Sequence, residues 1–145
     1  SRQFCDFIAQ ELGKIGLKIK YDLTSMNIFM ERMNKKDHQL SYWSWRIDYP
    51  DAENVFQMLY GKNLAPGMNY ANFVHPEFDS LFQKLAYMPP SPERKTIASK
   101  MDAIVQEEVP WALGIYVTSF VAANGKLKNF SRHPFVMDTF RAAKF

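Results

Sequence analysis

Apolar positions in this chain switch between two periods, and the switch predicts the order of its elements. Phe4, Phe7, Ile8, Leu12 and Ile15 recur at helical spacing, which predicts a helix over residues 2–14 with Gly16 as its left-handed stop. Leu17, Ile19, Tyr21 and Leu23 then alternate with Lys18, Lys20 and Asp22, the pattern of a strand with one buried face. Thr24 or Ser25 can cap a second helix whose apolar side is Ile28, Phe29, Met30 and Met33. A polar turn, residues 34–37, leads into QLSYWSWRIDYPD, residues 39–51. Leu40, Tyr42, Trp43 and Trp45 favour a strand, and Ile47-Asp48-Tyr49-Pro50-Asp51 must leave it, because Pro50 cannot donate to a sheet ladder. Strand, helix and strand in this length predict a right-handed crossover with parallel strands, and so an α/β fold.

Beyond that corner the pattern is helical again. Residues 52–60 predict a short helix with Val55, Phe56 and Leu59 inward and Gly61 at its end. Residues 62–70, with Asn63, Pro66, Gly67 and Asn69, predict a loop. His75-Pro76-Glu77 opens a helix with the stripe Phe78, Leu81, Phe82 and Leu85. Met88-Pro89-Pro90 breaks it, and Ser91 caps another helix, which buries Ile97, Met101, Ile104 and Val105 and ends before Pro110. Residues 111–123 predict a strand, Asn124-Gly125 a hairpin turn, 127–130 a returning strand, and 135–140 a short strand or helical turn.

Composition narrows the class. A chain of 145 residues, 47% hydrophobic and 23% charged, suffices for one globular domain. The 18 basic residues are dispersed, and the net charge of +3 lacks the one-face clustering of a nucleic-acid stripe. No apolar run reaches the length of a membrane span. Cys5 stands alone, so no internal disulfide forms, and on a helix's apolar side it reads as a small buried hydrophobe. With no initiator Met and no signal peptide, the chain reads as a piece of a longer protein.

The candidate chemistry sits at residues 39–51, where tryptophans, arginine, tyrosines and carboxylates meet at the end of a predicted strand. Strand ends opening into loops are where α/β folds hold ligands. Asp48 either pairs with a ligand cation or is taken up by Arg46 or a backbone amide. Asp51 is the expected cap of the next helix. Trp43 and Trp45 share a strand face, so Trp45 can floor a pocket or both can be core. His38, His75 and His133 have no metal-ligand spacing, and His75 is read as a helix cap. Glu107-Glu108, at a helix C-terminus, is read as a solvated pair. There is no phosphate loop, no nucleophile elbow and no Cys/His pair, so the expectation is a binding protein without enzymatic activity, cofactor or metal.

Taken in order, KIGLKIKY, SYWSWRIDYPDAENVF, NYANFVHPEFDSLF and SPERKTIASKMDAIVQEEVPWALGIY resemble the C-terminal part of the oligopeptide/dipeptide-binding-type extracellular solute-binding proteins (bacterial solute-binding protein family 5). The resemblance runs from about Phe4 to Val117. It implies a lobe of a type II periplasmic-binding-protein-like clamshell, with a mixed sheet and flanking helices, that closes on a peptide or similar small solute. The function implied is that of the substrate-binding component of an ABC importer, periplasmic or lipid-anchored outside the cell, delivering to permease subunits. Asp48 would take the peptide α-ammonium, the backbone around Ser44 and Arg46 its main chain, and Trp45 a side-chain pocket. Ser44 and Arg46 replace smaller residues, and His75 replaces the Asn of the family's NPEFD segment. Residues 1–115 would belong to the C-terminal ligand-binding lobe and 116–145 to a segment returning towards the first lobe, with the N-terminal part lying before Ser1. Neutralising Asp48 in such a cleft would cost roughly 2–5 kcal/mol of affinity. The rival functions are the solute-sensing domain of a transcriptional regulator with the same fold, and a hydrolase using Asp48 and Asp51 as a carboxylate pair.

Overall fold

The computed structural model describes residues 2–115, 118 and 120–130. Its helices are α1 (Arg2–Gly13), α2 (Met26–Lys35), α3 (Ala52–Phe56), α4 (Pro76–Tyr87) and α5 (Pro92–Glu108), with one 3-10 turn at Gly61–Asn63. The chain divides into two compact units, Ser1–Gln39 and Leu40–Phe145.

The helices start where the sequence provides caps. Asp51 accepts from Glu53 N at α3, His75 from Phe78 N at α4, and Ser91 from Arg94 N at α5, whereas Ser25 precedes α2 with extended backbone and no side-chain capping bond. Pro76 and Pro92 each occupy the first turn, where a missing N–H costs nothing. Lys36, in the left-handed conformation at φ 59°, closes α2. At the end of α5 that conformation falls on Val109, φ 46° and ψ 51°, whose N–H reaches Val105 O.

The first unit is thinly packed. No residue of α1 is buried, and Met33 is the buried residue of α2. A piece this short encloses too little apolar surface to form a core. Its contacts include polar ones at the surface: Tyr21 donates to the Asp6 carboxylate, and Arg32 pairs with Asp22 at 2.7 Å.

The second unit holds the core. Phe56, Leu59, Phe78, Phe82, Leu85 and Met101 form one buried cluster, with Phe73, Ile97, Ile104, Val105 and Trp111 packed against it. Phe78 stands edge-on to both Phe56 (5.7 Å) and Phe73 (5.6 Å), the arrangement aromatic quadrupoles favour. The α4 and α5 stripes read from the sequence meet here. The loop after α3 is organised around Asn69, wholly buried, which donates to Tyr60 O and Phe73 O and accepts from Phe73 N. Gly61 N donates to Asp79 Oδ1 at 2.8 Å, fastening this loop to α4.

The α/β expectation is overturned: the described residues contain no β-strand, and their one named bridge, Leu64 with Asn69, is isolated. The alternation at 17–23 and the aromatics at 40–45 are present, but both stretches are non-helical chain without a ladder. Leu17, Ile19, Leu23, Leu40, Tyr42 and Trp43 are exposed. Period-two patterning expresses only a preference; a strand exists when another main chain pairs with it, and side-chain packing then fixes which face is buried. With no sheet, the clamshell lobe is absent among the described residues. The importer component closing two lobes on a solute, and the sensor domain of the same fold, lose the framework they were read from. In the expected hairpin, the turn runs from Asn124 to Leu127, with Leu127 N on Asn124 O, rather than centring on Asn124-Gly125. Asn124 Oδ1 accepts from Lys126 N, and this side-chain bond sets the turn. The strand expected over 111–123 does not form in its described part, and the element expected at 135–140 lies outside the described residues.

Candidate functional site

The corner at residues 44–54 is built on the N-terminus of α3. Asp51 caps that helix through Glu53 N at 2.8 Å, and its carboxylate also receives Arg94 in a two-point contact, 2.7 Å at each oxygen. Arg94 Nε donates in addition to Leu85 O at the end of α4, 3.2 Å away. One guanidinium thus joins the start of α3, the end of α4 and the first turn of α5. Arg94 holds the Asp51 carboxyl below its ordinary value, against a smaller upward push from burial, and the Glu53 N–H adds to the lowering.

Within α3, Asn54 is 1% exposed. Its Oδ1 accepts from Trp45 Nε1 at 3.1 Å and from Asp48 N at 3.2 Å, and its Nδ2 faces Asp48 Oδ2 at 3.4 Å. Two N–H donors on one side-chain atom fix the amide's orientation, since a flipped amide would set its NH2 against both. Asp48 itself is exposed, and Trp45 is half-buried. Among the described residues Asp48 Oδ1 has no partner. Tyr49 donates to the Glu53 carboxylate one turn away.

Of the residues read as a site, the structure brings Trp45 and Asp48 together on one amide. Ser44 and Arg46 lie exposed on non-helical chain that belongs to no strand. Trp43 points elsewhere, edge-on to Tyr70 at 6.2 Å. Asp51 is engaged by Arg94 and by its own helix. Beside it, Pro50, Ala52, Pro90, Ser91, Arg94, Lys95 and Ala98 line an open cleft of about 280 Å³. Asp48 and Trp45 are not among its walls. No group of three His, Cys, Asp or Glu among the described residues could hold a metal, and no described helix is long and apolar enough to cross a membrane.

Asn54 and Arg94 were not singled out by sequence reasoning. Asn54 carries a weak signal: a polar residue two before Phe56 on a short helix, indistinguishable by spacing from a solvated one. Arg94 sits inside SPER, where it reads as an ordinary first-turn residue.

Among known proteins, the chain is 24% identical over 121 residues to the oligopeptide-binding protein OppA of Bacillus subtilis (strain 168). The relationship is distant. The match takes in 82% of this chain and 22% of that protein, so the chain spans about a fifth of its relative's length. No family model matches the chain, and no solved structure does.

Proposed function

We propose that residues 44–54 are a contact edge for a small solute carrying a primary ammonium group, a short peptide above all, bound without chemical conversion. Asp48 is the anchor, the Trp45 indole is the adjoining apolar surface, and Ser44 and Arg46 flank them on the same edge. The observation behind this reading is the exposed Asp48, whose carboxylate meets the same buried Asn54 amide that receives the Trp45 indole N–H. The distant relationship supports it, read as descent from the C-terminal part of an oligopeptide/dipeptide-binding-type protein acting outside the cytoplasm.

Exposure sets the scale. A carboxylate at the rim contributes about 0.2–1 kcal/mol to an ion pair, well below the cost of an unpaired charge in a closed cleft. Equilibrium dialysis of labelled trialanine against the full chain tests the reading. Asp48→Asn and N-acetylation of the peptide should each weaken binding by up to about fivefold at low salt. Equal retention of acetylated and free trialanine would remove Asp48 from its role.

A further inference from the structure

We infer that Asn54 is a positioning residue that couples the Asp48 carboxylate to the Trp45 indole, so that an event at the carboxylate is felt at the indole N–H. Three features carry this. First, the amide touches Asp48 at two points, its backbone N–H (3.2 Å) and its Oδ2 (3.4 Å), and touches Trp45 at the ring N–H (3.1 Å). Second, Asn54 is 1% exposed, so water has little access to replace any of these bonds. Third, the amide is a rigid plane: a rotation that follows the carboxylate at Nδ2 must move Oδ1 away from both N–H donors. The side chain has no freedom to serve one neighbour and ignore the other. A cation that draws Asp48 Oδ2 off Nδ2 therefore loosens the bond to the indole. Only the ligand step of this coupling rests on the proposed ammonium site; the coupling itself is a property of the ligand-free chain.

The test is NMR of the full chain, reading the indole N–H signals of Trp43, Trp45 and Trp111, assigned with Trp45→Phe. Asp48→Ala, at an exposed position, should shift the Trp45 signal and speed its exchange with solvent while Trp43 and Trp111 stay in place. In an Asn54→Ala background, most of that selective response should vanish. If Asn54→Ala does not fold, the Asn54 side-chain NH2 signals must move with Trp45 when Asp48 is changed. A Trp45 signal indifferent to Asp48→Ala overturns the inference, as does a response that survives without Asn54 or a stationary Asn54 amide. Trialanine is then added to the unmodified chain. If the Asp48→Ala response is present but trialanine moves nothing, the ammonium site fails and the coupling stands. If trialanine binds but the Asp48→Ala response is missing, the coupling fails and the ammonium site stands.

Discussion

Replacing Arg94 with Met should destabilise the second unit by about 2 kcal/mol, and the structure says how that figure arises. Both guanidinium contacts to Asp51 are 2.7 Å, the short end for charge-assisted bonds, each worth about 1.5–3 kcal/mol when dry. The side chains are 15% and 27% exposed, so water reaches the pair and the gain must be discounted, though less than for a surface pair at about 0–1 kcal/mol. Met preserves much of the apolar stem but leaves Leu85 O without its Arg94 Nε donor. Thermal unfolding followed by circular dichroism should show Tm lower by roughly 8 °C or more, at about 4 °C or more per kcal/mol for a unit of this size. Arg94→Lys should recover under half of the loss, because an ammonium cannot meet both oxygens at once. Arg94 lowers the Asp51 carboxyl in the folded chain. Its contribution is therefore complete above the unfolded carboxyl value near 4 and fades as pH falls through the lower folded value. The gap between Arg94→Met and the unmodified chain should narrow from about pH 4 downward. Equal stabilities at pH 7, or a gap undiminished at low pH, would refute this reasoning.

Asn69→Ala removes an amide that satisfies two carbonyls and one N–H in a wholly buried place, and urea unfolding should record a loss of about 3 kcal/mol. Gly61→Ala would bring a Cβ to 2.4 Å from Asp79 Oδ2, and Asp79 would have to leave Gly61 N. The expected cost is about 1–3 kcal/mol by urea unfolding, much of it absent when Asp79 is already Ala. His75→Ala should cost about 1 kcal/mol through the lost cap on Phe78 N, whereas His75→Asn should be close to neutral by the same assay.

Local signals were legible in the sequence and long-range ones were not. Asp51, His75 and Ser91 cap their helices because a cap depends on three or four neighbouring residues, all visible in the chain. The α4 and α5 stripes predicted Phe78, Phe82, Leu85 and Met101 as core for the same reason. Leu17–Lys18–Ile19 and Tyr42–Trp43 carry strand preference just as clearly, yet pairing is decided by a partner main chain that no local pattern specifies. At the site, Trp45 and Asp48 were named, but what joins them was hidden. Asn54 reaches back six and nine residues across a proline, a geometry that exists only once α3 is folded. The Asp51–Arg94 clasp spans forty-three positions and left no trace in spacing.

Val109 turns the chain out of α5 in a conformation that a β-branched side chain resists, and the residue is 60% exposed. Packing of that isopropyl group therefore does little to offset the penalty, which is about 1–2 kcal/mol for an ordinary residue. The compensation comes from its flanks, the N–H on Val105 O and the Trp111 ring set against the core. The direction in which the chain leaves α5 is consequently set by an indole two residues later that packs on the core, against the local preference of the backbone.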